Sequence, residues 1–126
     1  MNYRTPLSRA RGLGSAKTGT FHWWLQRVTA AALIPLSYWL IQLLNSSMNA
    51  PYQETVNWVA APINTVCIVA WIFAVFYHAA LGLQVVIEDY VSAEGLKIIS
   101  VWVVNLVFML LALAALIAVF RIVLLG

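Results

Sequence analysis

The segment from Phe76 to Val91 carries the residue types of this chain that are best suited to chemistry. On a helix, where successive residues turn by about 100°, His78, Gly82 and Asp89 lie on one face. Tyr90 is about 120° round from His78, at the rim of that face. The face therefore combines an imidazole, a gap where a side chain is missing, and a carboxylate beside a phenol.

His78 lies deep within its helix. At about 1.5 Å per residue, it is roughly 15 Å from the acidic end at Glu88 and Asp89, which in a membrane helix is close to the middle of a hydrocarbon core about 30 Å thick. An ionisable side chain at that depth needs a partner. Two interpretations are open. His78 either ligates haem iron, with Gly82 letting a flat group approach the backbone, or bonds to a carbonyl or hydroxyl of a neighbouring helix.

Two sequence patterns resemble a known family. The spacing His-x3-Gly-x6-Asp-Tyr, from His78 to Tyr90, resembles the second helix of the small hydrophobic membrane-anchor subunit of succinate dehydrogenase, respiratory complex II. Residues 24–30, Trp-Leu-Gln-Arg-Val-Thr-Ala, are similar to the start of the first helix in that family, where an arginine precedes Thr-Ala and an apolar helix. The similarity spans all three hydrophobic segments.

The resemblance implies a cofactor, a substrate and partners. It implies that His78 is one of two axial ligands of the iron of a b-type haem, and that Tyr90 contacts ubiquinone with Asp89 and Arg27 nearby. Arg27 would belong to the quinone site or meet a haem propionate. The other histidine of the chain, His22, lies near the predicted membrane surface. The second haem ligand would therefore come from another chain. The resemblance implies that this is a second hydrophobic anchor subunit, and that an iron–sulfur subunit and a flavoprotein complete the enzyme.

The same residues also allow other functions. Asp89 and Tyr90 are typical of a helix end with an interfacial aromatic, and Arg27 could extend its guanidinium to the lipid headgroups. A fumarate reductase anchor stays open, because sequence does not set the direction of electron flow. A non-catalytic membrane scaffold with a structural His78 also stays open. The chain has no Rossmann or cysteine-cluster pattern, so we do not expect it to oxidise succinate by itself.

Composition indicates the fold class. Hydrophobic residues make up 63% of the chain and charged residues 9%, and the mean hydropathy is +0.90. A soluble domain has about 25% charged residues, so this chain cannot cover itself with a polar surface. We predict an all-α membrane protein with three transmembrane helices, and the resemblance implies that they pack with a partner anchor subunit to form a helical bundle. With no soluble domain expected, its net charge of +3 is not assigned to nucleic-acid binding.

Hydropathy divides the chain into a basic cytoplasmic N-terminal arm, residues 1–20, and a three-helix transmembrane anchor domain, residues 21–126. The helices are predicted at about 21–44, 63–87 and 98–125. The arm carries four Lys or Arg residues, the first loop none and the second loop one. The positive-inside rule therefore predicts a cytoplasmic N-terminus and a periplasmic C-terminus. The short chain and the lack of a clear cleavage site favour a multi-pass protein of the bacterial inner membrane over the mitochondrial inner membrane.

This orientation brings residues from two helices to one membrane face. Arg27, Asp89 and Tyr90 are all predicted at the inner face. A phenol can donate a hydrogen bond at the interface with its ring in lipid, and a carboxylate can orient it or relay protons. These groups suit the reduction of a quinone, which needs donors at two carbonyl oxygens and two protons.

The connections carry weaker signals. Residues 45–61 are predicted to be a loop, and Pro62 suits a first helical turn. Gly95 is expected to break the helix between the second and third segments. Asn105, inside the third segment, is expected to bond to a neighbouring helix or a water.

Overall fold

The computed structural model of the chain describes residue 3 and residues 5–11 and 17–126. The rest of the predicted basic arm, which includes Arg4, lies outside the described residues. The described part is helical and holds no strand. The all-α prediction is therefore confirmed for this part of the chain. The helices are α1 (Pro6–Arg11), α2 (Lys17–Asn49), α3 (Tyr52–Ala60), α4 (Pro62–Tyr90) and α5 (Glu94–Leu125).

Three of these helices are long and apolar enough to cross a membrane, which confirms the predicted number. The candidate spans are Gly19–Asn49, Pro62–Tyr90 and Glu94–Leu125, of 31, 29 and 32 residues. At about 1.5 Å per residue each is longer than a hydrocarbon core of about 30 Å. The chain is a multi-pass membrane protein. Its helices are longer than the predicted segments, because hydropathy identifies only their apolar parts. The helical backbone hydrogen bonds continue into the polar residues on either side.

A glycine expected to interrupt a helix lies inside one. α5 begins at Glu94 and therefore contains Gly95. The expectation that Gly95 breaks the helix is wrong. A glycine within a helix costs only about 1 kcal/mol relative to alanine, and Glu94 in the first turn interacts favourably with the helix dipole.

The loop predicted at residues 45–61 is also wrong, because it contains the end of α2 and the whole of α3. Val56 and Val59 are 4% and 2% exposed, so their spacing of three residues places an apolar stripe of α3 against the other helices. Ala61 is extended, with ψ of 129°. Pro62 then begins α4, as predicted, since a proline is well suited to the first helical position.

The packing is tight at one end of the chain's helical bundle and open at the other. The buried cluster Val59, Ile68, Ile72 and Val119 joins α3, the start of α4 and the end of α5. We call this end the α3 end. The opposite end, where α2 begins and α4 ends, is called the N-terminal end; Leu81 is the buried apolar side chain nearest to it among the described residues.

Asn64 connects three helices at the α3 end. Its Oδ1 accepts a hydrogen bond from Trp39 Nε1 of α2 at 3.1 Å. Its Nδ2 donates to the carbonyl oxygen of Trp58 in α3 at 2.8 Å. Trp58 is in the last turn of α3, where carbonyl groups have no N–H partner within the helix. The second bond supplies a donor to one of these carbonyls. Asn64 therefore holds α3 and α2 to the start of α4.

We expect Asn64→Leu to loosen this end. The loss of both hydrogen bonds should lower the free energy of unfolding by about 1–2 kcal/mol. Thermal unfolding of the protein in detergent, followed by circular dichroism, measures the change. Asn49→Ala is the matched control, because the Asn49 amide bonds only to Asn45 in the same helix. Equal melting of the two variants would contradict the role given to Asn64.

Candidate functional site

His78 lies in the interior of α4, sixteen residues after Pro62 and twelve before Tyr90. Its Nδ1 lies 3.0 Å from Thr29 Oγ1 of α2. One of the two interpretations of the sequence, a hydrogen bond to a hydroxyl of a neighbouring helix, is therefore present. It does not exclude the other, because an imidazole has a second nitrogen.

A cleft with a volume of about 530 Å³ lies between α2 and α4 beside His78. This volume is within the usual range for sites that bind small molecules and cofactors. Residues of both helices line the cleft: Gly19, His22, Trp23, Gln26, Arg27 and Ala30 of α2, and His78, Leu81, Gln84, Val85 and Glu88 of α4. We call it the His78 cleft.

Gln26 occupies the space beside Gly82. A Cβ built on Gly82 would lie 3.5 Å from Gln26 Nε2, which is ordinary van der Waals contact. The gap that the sequence suggested for a flat group is thus covered on the α2 side by an amide. Gln26 Oε1 is buried and has no hydrogen-bond partner in the described part of the chain. A buried acceptor without a donor costs about 1–3 kcal/mol, so a donor from outside this part of the chain is expected at the cleft.

Arg27 lines the His78 cleft and is exposed. Its guanidinium carbon lies 5.3 Å from the centroid of the Trp23 ring, a cation–π arrangement. Within the described ranges it forms no ion pair with a carboxylate. The guanidinium is therefore held over an aromatic face and stays available to an anionic or carbonyl partner.

The acidic residue that lines the cleft is Glu88. Its Oε1 accepts a hydrogen bond from Gln84 Nε2 at 2.9 Å. Asp89 and Tyr90 lie at the end of α4, where Tyr90 is 85% exposed, and neither lines the cleft. The structure thus brings Arg27 together with His78 and Glu88, but not with Asp89 or Tyr90.

A second cleft, of about 520 Å³, lies mainly between α4 and α5. His22, predicted to lie near the membrane surface, is partly buried and lines both clefts. Asn105 also lines the second cleft. It is exposed and makes no side-chain hydrogen bond within residues 17–126, so the bond expected to a neighbouring helix of this chain is not formed. Gln84 is the third polar residue of the lining. The other walls are apolar or aromatic, including Phe76 and Phe108, whose ring centroids are 6.1 Å apart.

No cluster of three or more His, Cys, Asp or Glu side chains that could hold a metal ion occurs in the described ranges. A free metal ion such as zinc usually takes four ligands from protein and water. A single imidazole instead suits iron carried by a macrocycle that supplies the other ligands. His78 is not part of such a ligand cluster in the described part of the chain.

Sequence reasoning gave no role to two residues of the His78 cleft region, Gln26 and Thr29. Both lie in the segment 24–30 that carried the family resemblance. One helical face is formed by residues with spacings of four, three and four: Gly19, Trp23, Gln26 and Ala30. This spacing could have identified Gln26 as a residue of the cleft. Nothing in the sequence shows that Thr29 is level with His78, because that depends on the register of two helices.

Comparisons with known proteins identify the family. The family described as succinate dehydrogenase/fumarate reductase transmembrane subunit matches residues 1–120 of the chain. The chain belongs to this family. The resemblance inferred from the His78 and Arg27 segments is therefore confirmed.

Relatives with similar sequences carry a more specific description. The succinate dehydrogenase hydrophobic membrane anchor subunit of Rickettsia bellii is 36% identical over 119 residues, which cover 94% of this chain and 95% of the relative. The subunit of the same name from Rickettsia conorii is 34% identical over 120 residues, with the same coverage. That from Rickettsia felis is 35% identical over 107 residues, covering 85% of this chain and 88% of the relative.

The packing at Gly82 predicts different effects for two substitutions. Gly82→Ala should be tolerated, because its Cβ would meet Gln26 Nε2 at an ordinary contact distance and alanine favours the helix by about 1 kcal/mol. Gly82→Leu should separate α2 from α4 and lower thermal stability by about 1–3 kcal/mol. Thermal unfolding in detergent measures both. Equal stabilities of the Ala and Leu variants would contradict close packing at this position.

Proposed function

We propose that the chain is the small hydrophobic membrane-anchor subunit of a succinate:quinone oxidoreductase. In this proposal it contributes one axial ligand of haem b, His78, and part of a ubiquinone-reduction site. The observation that carries the proposal is an imidazole in the interior of a membrane-spanning helix, beside a cleft and hydrogen-bonded through Nδ1 alone among the described residues. Such a group has a free nitrogen at a depth where an ionisable residue indicates function.

The residues of the His78 cleft fit a haem. His78 Nε2 has no hydrogen-bond partner in the described part of the chain. Arg27 offers an unpaired positive charge for a propionate carboxylate or a quinone oxygen, and the buried Gln26 Oε1 lacks a donor among the described residues. When bound, haem supplies a one-electron redox centre within the membrane.

The second axial ligand is proposed to come from another chain. His22 is seven residues before Thr29 on α2, so it lies about 10 Å along the helix axis from the level of His78. His22 and His78, at such different depths, would not both hold one haem. The second hydrophobic anchor subunit would supply the missing ligand and cover the open side of the His78 cleft.

The quinone site is proposed at the N-terminal end of the bundle. Tyr90 is 85% exposed, and its phenol makes no hydrogen bond within residues 17–126, so it is available to a quinone carbonyl oxygen held between this chain and its partners. Asp89, beside it at the end of α4, can relay protons from water. Electrons would arrive from succinate through the flavoprotein and iron–sulfur subunits.

The orientation proposed from Lys and Arg asymmetry puts this end at the cytoplasmic face of a bacterial inner membrane. Protons for quinone reduction would then come from the cytoplasm. A fumarate reductase anchor is the second candidate, favoured by the family description, which includes both enzymes.

We expect His78→Ala to lower the haem content of the purified complex several-fold while part of the complex still assembles. A reduced-minus-oxidised visible spectrum, normalised to protein, measures the haem. Asn49→Ala is the control and should keep its haem, because Asn49 is at the other end of α2, away from the His78 cleft. Unchanged haem content in His78→Ala would overturn the ligand assignment.

We expect Tyr90→Phe to slow quinone reduction by about tenfold, the equivalent of one hydrogen bond of roughly 1.4 kcal/mol in the transition state. Succinate oxidation by an artificial acceptor that bypasses the quinone should be retained. Tyr52→Phe, on α3 at the other end of the bundle, is the control and should affect neither rate. An equal loss of both activities in Tyr90→Phe would point to impaired assembly instead of a quinone contact.

A further inference from the structure

We propose that Thr29 is a positioning residue for His78. Its hydroxyl selects the tautomer and the orientation of the imidazole, and through them lowers the redox potential of the haem. The inference rests on the proposed function, because it takes His78 as a haem ligand. It assigns a role to a residue of α2 that touches neither the iron nor the quinone.

The first step concerns the single proton of the Thr29 hydroxyl. Thr29 Oγ1 lies 2.7 Å from the carbonyl oxygen of Leu25 and 3.2 Å from that of Gln26. Carbonyl oxygens only accept hydrogen bonds. The short contact with Leu25 is the bond that a helical threonine commonly makes to the preceding turn. The hydroxyl proton therefore points to the backbone of α2.

The second step concerns His78. Since the hydroxyl proton is directed to the backbone, the lone pairs of Thr29 Oγ1 are left for the atom 3.0 Å away, His78 Nδ1. Nδ1 then carries the proton and donates it to the hydroxyl. A neutral imidazole has one N–H, so Nε2 keeps its lone pair. This is the tautomer that a metal ligand requires.

The third step is the rigidity of the acceptor. Threonine is branched at Cβ, and its side chain is further restrained by the bond to the Leu25 carbonyl. In the middle of a membrane helix, water is not available to replace it. The imidazole is therefore oriented by α2 although it belongs to α4.

The consequence is an effect on redox potential. A hydrogen bond from the second nitrogen of a ligating histidine raises the basicity of the ligand. A more basic ligand stabilises ferric iron more than ferrous iron, so the bond lowers the potential. Without the acceptor the potential should rise, and the ring should be held less firmly.

The test is a redox titration of the intact complex, followed by its visible spectrum, with the low-spin electron paramagnetic resonance signal as a second readout. Thr29→Val keeps the side-chain shape and removes the oxygen; its potential should shift upwards and its resonance signal should change. Thr29→Ser keeps the hydroxyl and should restore both readouts. Thr65→Val is the matched control, because the Thr65 hydroxyl bonds to Val59 of α3, at the far end of the bundle.

The outcomes separate this inference from the proposed function. A wild-type complex without haem would overturn the proposed function and this inference with it. A wild-type complex with haem, and a Thr29→Val variant with unchanged potential and signal, would overturn only this inference. If Thr29→Val loses its haem, wild-type behaviour of Thr29→Ser supports the hydroxyl as the cause. Loss of haem from both variants would show that the methyl group matters and would contradict the proposal.

Discussion

The antiparallel packing of α2 against α4 is the constraint on which the other features of this structure depend. Polar pairs join the two helices at successive depths: Thr29 with His78, Ser37 with Trp71, and Trp39 with Asn64. Apolar side chains gain little from packing together in lipid, so polar contacts and close backbone approach are the interactions that specify helix pairing there. A slip by one turn, about 5.4 Å, would separate all three pairs. The register that gives His78 its hydrogen-bond partner is thus the register that holds the bundle together.

The two ends of the bundle are packed differently. At the α3 end, α3 packs on α4 and α5, and the buried cluster and Asn64 hold the helices in contact. Towards the N-terminal end, the His78 cleft lies between α2 and α4, and a second cleft lies between α4 and α5 near the middle of the bundle. The proposed haem site between chains would use both properties, since rigid packing at one end fixes the helices that line the site.

The polar groups at the N-terminal end are incomplete within this chain. Gln26 Oε1 has no donor in the described residues, Arg27 has no carboxylate partner there, and Tyr90 is largely exposed. Because unpaired polar groups are costly in a membrane, these side chains are better explained as half of a site than as a finished surface. The proposed partner subunits and ligands would provide the other half.

Composition and hydropathy alone determined that this is an all-α chain with three membrane-spanning helices, and helical periodicity together with the His78 to Tyr90 spacing indicated the family. The short helix α3 was missed, because nine residues of mixed polarity form a helix here only through the burial of Val56 and Val59 against other segments. Periodicity fixes the angles between residues on one helix, but not the side on which a neighbouring helix crosses it. Tertiary structure alone therefore decided that Glu88, and not Asp89, lines the cleft, and that the partner of His78 is Thr29.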